Sequence, residues 1–168
     1  LTREMPNELP ARPKELYDGA LPSANSMALL NLLRLSRLTG DSRWEDQANA
    51  LTQTFAGTVR KQPMAFTQFL IGLDFALNPG QEVVIAGDPT ASDTQALLRV
   101  LGTQYIPNQV ALFKSDQTAD RLAQIAGYTD GLQIIEGKAT AHVCRGFKCQ
   151  EPTTDIDRML NQITRHRR

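Results

Sequence analysis

Three groups of residues carry side chains whose type and spacing could do chemistry. The first is Tyr17-Asp18-Gly19-Ala20-Leu21-Pro22-Ser23-Ala24-Asn25-Ser26. It brings a carboxylate, a phenol, two hydroxyls and an amide close together just ahead of a predicted helix. The amides at a helix N-terminus are unpaired and carry the positive end of the helix dipole, which suits a hydroxylated or anionic ligand. Asp18, Ser23, Asn25 and Ser26 are therefore the candidate binding residues. The plainer reading is that Asp18 orders the Gly19 turn and Ser23 caps the helix.

The second group is Cys144 and Cys149, with His142 two residues before the first. A redox dithiol is usually separated by two residues, and zinc sites usually draw on two or more ligand pairs. His142 alternates onto the same strand face as Cys144, so the three could supply metal ligands, but no fourth stands out. Two reduced structural thiols are the first reading, with the metal site and a disulfide as alternatives. If the strand ran on to Cys149, the odd offset would point the two sulfurs to opposite faces; a turn at Gly146 could bring them together.

The third group, Gly87-Asp88-Pro89-Thr90-Ala91-Ser92-Asp93, follows a predicted strand, where ligands bind in open α/β sheets. It lacks both glycine-rich phosphate patterns, and a turn plus a helix cap accounts for it. His142 is the only histidine outside the C-terminal tail, and nothing sets a nucleophilic serine beside it.

The elements that must position these groups divide in two. Residues 1–22 hold Pro6, Pro10, Pro13 and Pro22 and read as irregular. Ser23, or in competition Ser26, caps a helix whose wide apolar arc runs from Met27 to Leu38 and ends at Gly40. Asp41 or Ser42 starts a second helix with a stripe through Trp44, Ala48, Leu51, Phe55 and Val59. The short connection makes the two antiparallel neighbours. Pro63 opens a third helix, with Ala65, Phe69, Leu73 and Leu77 inward, and Asn78-Pro79-Gly80 stops it. The pattern then changes near Asn78 to Gln81.

Strands follow at Glu82–Ala86, Gln109–Phe113 and Ala139–Cys144. Between and after them come helices opened by Ser92 or Asp93, then Thr118–Ile125 with Leu122 and Ile125 inward, then Asp155–Thr164. Alternating strands and helices favour a parallel sheet. The fold class is mixed α+β: a three-helix segment over residues 1–79, then a small three-stranded parallel α/β unit over 80–168.

Composition bounds the partners. Eighteen basic and eighteen acidic side chains cancel, and 41% of residues are hydrophobic, an ordinary globular balance. No global field attracts nucleic acid or an anionic membrane, and the basic tail Arg165-His166-Arg167-Arg168 reads as a solvated end. No apolar run approaches the ~20 residues of a membrane span, and no signal peptide is visible. Two cysteines make no disulfide scaffold, so the cytoplasm is the expected location. A start at Leu1 rather than Met reads as a C-terminal fragment of a larger intracellular protein.

Three stretches together resemble a known family. They are Asp18 to Ser26 with Leu30-Asn31-Leu32-Leu33-Arg34-Leu35 and Leu38-Thr39-Gly40; Ala139 to Cys149; and Pro152-Thr153-Thr154-Asp155. In this order they resemble the C-terminal region of thioredoxin-domain-containing proteins related to spermatogenesis-associated protein 20, from about Lys14 to Leu160. The resemblance implies a three-part parent: a thioredoxin-like domain, a central α/α toroid similar to sugar epimerases and six-hairpin glycosidases, and a short α/β end. Residues 1–79 would then be the last toroid helices, and Cys144 and Cys149 match the family's paired cysteines. Because each singled-out residue also has a plain structural reading, the expected role is structural, the fragment alone being non-catalytic. The alternative is a contribution to a carbohydrate-binding or sugar-modifying cavity. The partners implied are the upstream domains and, through exposed toroid helices, a second copy. No cofactor is implied.

Overall fold

The structure, a computed structural model of the 168-residue chain, describes residues 14–78 and 80–164. Pro6, Pro10 and Pro13 of the irregular segment, Pro79 of the helix stop and the tail from Arg165 lie outside the described residues. Among the described residues, no helix is long and apolar enough to cross a membrane.

Helix α1 (Ala24–Thr39) starts at Ser23, whose Oγ accepts the Ser26 amide at 3.1 Å, so Ser23 rather than Ser26 is the cap. Gly40 ends it in the left-handed region at φ 75°, its amide donating to the Ser36 carbonyl at 2.8 Å. Asp41 Oδ1 then accepts the Arg43 amide and begins α2 (Ser42–Lys61). Pro63 opens a separate 3-10 turn, Pro63–Ala65, and α3 (Thr67–Leu77) restarts beyond Phe66, whose backbone is not helical. The three helices share one core of Leu29, Leu30, Leu32 and Leu33 from α1, Ala48, Phe55 and Val59 from α2, and Phe69 and Phe75 from α3. Phe55 and Phe69 meet edge to face at 6.1 Å.

Strand β1 (Gln81–Ala86) is buried along its whole length and lies inside the sheet. Helix α4 (Ser92–Thr103) leads to β2 (Gln109–Lys114), which pairs parallel with β1. Its N-cap is Ala91, not Ser92 or Asp93, and no side chain caps it. Short α5 (Ala119–Ile125) follows, then β3 (Thr140–Arg145), β4 (Lys148–Cys149) and α6 (Ile156–Thr164). Ile125 points outward, 57% exposed, against the inward position its spacing predicts.

The expected three-stranded parallel sheet is corrected to a four-stranded mixed one, in the order β2-β1-β3-β4. β3 runs antiparallel to β1 and forms a hairpin with β4. The link from β2 to β3 is held at the end where β2 finishes: Lys114 donates to the carbonyls of Thr129 and Asp130, and Asp93 accepts the Ala139 amide. The chain stays at the end where β2 finishes and enters β3 there, Thr140 lying opposite Ala86.

One sheet face presents Val83, Ile85, Ala141 and Val143 to Leu97 and Leu101 of α4 and to Met159 and Ile163 of α6. On the other face Val110 joins the core of the helices.

Arg37 fastens the end of α3 near that seam. It donates to the carbonyls of Phe75 at 3.1 Å and Asn78 at 3.3 Å, and its guanidinium carbon lies 4.7 Å from the centre of the Phe75 ring. A helix C-terminus leaves such carbonyls unserved. Gly80 leaves the room for this: a Cβ there would strike the Arg37 guanidinium. Arg37→Met keeps the apolar stem and removes the donors. It is expected to cost about 1–3 kcal/mol, read from the urea midpoint, with the far-ultraviolet helix signal retained in water.

Candidate functional site

Asp18 sits in the segment that enters α1, and its carboxylate is the centre of the first predicted group. Oδ1 accepts the Ser23 amide at 2.8 Å. Oδ2 accepts the Ser26 hydroxyl at 3.0 Å and the amides of Gln68 and Phe69 at 2.9 and 3.1 Å. Ser23 Oγ donates in turn to Ser26 Oγ at 2.8 Å. The last two amides open α3, a helix with no side-chain cap of its own. Asp18 therefore supplies that cap from across the chain, where the helix dipole also favours a negative charge.

Burial pushes the Asp18 carboxyl up, but the amides of Ser23, Phe69 and Gln68 and the Ser26 hydroxyl outweigh it, so the group lies below the usual carboxylate range. The structure thus brings the predicted residues together, facing inward. Ser23 and Ser26 are buried, Ser26 fully. Asn25 is only partly covered and donates to the Glu15 carbonyl.

Cys144 and Cys149 form a disulfide, where the sequence favours two reduced thiols. The turn at Gly146, one of the two courses the sequence left open, is the one the chain takes. Chain reversal at Gly146-Phe147 pairs Arg145 with Lys148 and Cys144 with Cys149, and directly opposed residues of a hairpin share a face. With the sulfurs bonded to each other, no thiolate is available to ligate a metal beside His142. His142 Nε2 lies 2.9 Å from the Gln133 carbonyl. That oxygen only accepts, so Nε2 carries the proton. Burial holds His142 below the usual histidine range; the Gln133 bond opposes this and the Lys114 charge adds to it.

The register sets further groups on the same sheet face. Glu82 lies across from Cys144, Val84 from His142, and Lys114 from Ala86. Glu82 is 2% exposed and accepts the Phe147 amide at 3.2 Å. Burial pushes its carboxyl up, while the Phe147 amide and the charges of Arg37 and Arg145 pull the other way. Lys114, also buried, donates to the carbonyls of Thr129 at 2.7 Å and Asp130 at 2.9 Å. It borders a cavity of about 360 Å³ shared with Ser115, Asp116, Asp120, Asp130 and Gln133. Sequence reasoning missed Glu82 and Lys114. The available signal was a charged residue at the end of each of two otherwise apolar strands.

The Gly87–Asp93 group does the work of a turn. Asp88 Oδ1 accepts the amide and hydroxyl of Thr90, both at 2.7 Å. Asp93 Oδ2 accepts the Ala139 amide at 2.8 Å and ties the loop to the start of β3.

Asp18→Asn is expected to cost about 1–3 kcal/mol near neutral pH. The folded pKa lies below the unfolded one, so the stabilisation is complete above the unfolded value. It is lost as pH falls through the folded value. Urea unfolding at neutral and acid pH should show the variant's deficit shrinking as the solution is acidified.

Among known proteins, the chain is 36% identical over 162 residues, 95% of its length, to spermatogenesis-associated protein 20 of Rattus norvegicus. It is 34% identical over the same share to the Mus musculus protein of that name. It is 36% identical over 147 residues, 88% of its length, to the Homo sapiens protein. No family model and no solved structure matches. The chain spans about a fifth of the length of the curated relatives it matches. It is homologous across nearly all of its own length to a stretch of proteins named spermatogenesis-associated protein 20, and that homology supports their family for it.

Proposed function

We propose that the chain is a structural and supporting segment of a larger protein of the spermatogenesis-associated protein 20 kind, without a complete active site of its own. The observation that carries this reading is the state of Asp18. Three backbone amides and one hydroxyl of the chain itself occupy its two oxygens, leaving a ligand little to bind.

Two further facts support it. The relatives are about five times as long as the chain. The helical half also leaves large apolar side chains in the open: Leu21 at 81%, Met64 at 84%, Ile71 at 53% and Leu77 at 83% exposure. Residues missing from this stretch of the relatives' length are the natural cover for them. On this reading residues 1–79 are the last helices of an α/α toroid, residues 80–168 close it, and a thioredoxin-like domain lies upstream. A second reading, a sugar-binding cavity in the whole protein, rests on Asn25, which is only partly covered. Sugar binding by the whole protein that Asn25→Ala abolishes would favour it.

Removing everything after Asn78 from the whole protein is expected to lower its thermal midpoint by about 4 °C or more. An unchanged midpoint, with unchanged redox behaviour, would overturn the structural reading. The 168-residue chain alone is expected to self-associate through its open apolar side chains. Light scattering showing a clean monomer at tens of micromolar would count against that cover.

A further inference from the structure

We propose that Cys144–Cys149 is a reversible thiol–disulfide exchange site, opened by a dithiol that attacks Cys149, and not a bond that holds the fold together. Three observations carry this.

The bond is redundant as a staple. Its cysteines are only five residues apart, so it closes a very small loop and removes little chain entropy. The same two residues are already paired in the β3–β4 ladder. No distant segments are tied by it, and the chain has no other cysteine.

The bond is asymmetric. Cys149 lies on the exposed two-residue β4, while Cys144 is fully buried in β3. An incoming thiolate therefore has access to one sulfur, and the buried one is the leaving group.

A carboxyl group stands at the buried end. Glu82 lies opposite Cys144 on the same sheet face, and its carboxylate accepts the amide of Phe147, inside the turn that joins the two cysteines. Burial raises the affinity of Glu82 for a proton. The charged and titratable groups that face it are Arg37 from α1, Arg145 from β3, Tyr128 from the 3-10 turn before β3, and Glu45 from α2 across the shared cleft. The two arginines also favour a thiolate at Cys144.

The exchange balances as follows. A thiolate of the reductant attacks Cys149 Sγ and forms a mixed disulfide with it. The Cys144–Cys149 bond breaks, and its electron pair leaves on Cys144, which takes a proton from Glu82. The second thiolate of the reductant then attacks its own half of the mixed disulfide and releases the Cys149 thiolate. The dithiol is oxidised by two electrons, the protein disulfide is reduced by two, and Glu82 regains its proton from solvent. Beyond the bond lies the hairpin tip, where Phe147 packs on Tyr128 with ring centres 5.0 Å apart and approaches the Gly40 turn of the helices.

The test uses the whole protein, treated with dithiothreitol or glutathione, then alkylated and mapped by peptide mass. Dithiothreitol is expected to make both cysteines alkylatable while circular dichroism and the thermal transition persist. Glutathione is expected to add to Cys149. In the single variants, Cys149 of Cys144→Ser should react at least about tenfold faster than Cys144 of Cys149→Ser, because thiol reactivity follows access and ionisation. Glu82→Gln should flatten the pH dependence of the reduction rate, which a purely structural role would leave unmoved. The proposal is overturned if the bond opens only in denaturant, if its reduction unfolds the protein, or if glutathione is found on Cys144. An unaltered pH profile in Glu82→Gln removes Glu82 from the exchange.

Discussion

The helical half hangs on one ionised carboxylate. Helix α3 begins after Phe66, which offers no side-chain cap, so its first amides would be left unpaired beside a packed core. Asp18, 50 residues earlier in sequence than Gln68, serves them. The same two oxygens hold the Ser23 amide and Ser26 hydroxyl at the start of α1. One side chain thereby sets where two helices begin relative to each other. Given that, Phe69 and Phe75 enter the core with almost no exposure, and Phe75 offers its ring and carbonyl to Arg37. Arg37 in turn occupies the space that Gly80 leaves empty just before β1. A carboxylate so placed must stay charged, because protonation would turn an acceptor into a donor facing amide hydrogens.

The sheet divides its two faces by chemistry. The face under α4 and α6 is aliphatic, and its burial drives the packing of those helices. The other face carries Glu82, His142, Lys114 and the disulfide in adjoining rows. Buried polar groups persist where they find partners. Here the partners are mostly backbone: the Phe147 amide for Glu82, the Gln133 carbonyl for His142, and two carbonyls for Lys114. The loop from Thr129 to Gln133 is thus held by strand side chains rather than by apolar packing of its own.

Much of this was legible in the residue order. The caps at Ser23, Gly40 and Asp41 follow from local chemistry that the rest of the fold does not override. The helix stripes through Phe55, Val59 and Phe69 and the apolar strand Val83–Ala86 were legible for the same reason. What failed were properties that depend on distant segments. Pro63 satisfied the rule for a helix start, yet α3 begins where Asp18 can reach it. Ile125 satisfied a helical spacing, but α5 has no buried residue and no core to point into. The orientation of β3 was read from element order, whereas the link from β2 is held at one end of the sheet by Lys114 and Asp93. In the first candidate group, residue types were right and their direction was hidden: the donors that claim Asp18 all follow it, one pair nearby and one pair far along the sequence.

The antiparallel course of β3 decides what the disulfide can influence. Had β3 run parallel to β1, its far end and the β4 hairpin would stand where β2 ends, beside Lys114. Because it runs the other way, Cys144 comes to lie beside Glu82, at the end of β1 that receives the chain from the helices. That end is where Arg37, Glu45, Phe75, Arg145 and Phe147 border one cleft of about 760 Å³ between helices and sheet. A change in the hairpin is therefore felt where the two halves meet, through Phe147 against Tyr128 and the Gly40 turn and through its amide on Glu82. A change in the Lys114 cavity would act at the opposite end of the strands. The strand direction that the alternation of elements did not foretell is what sets the chain's two cysteines at the joint between its halves.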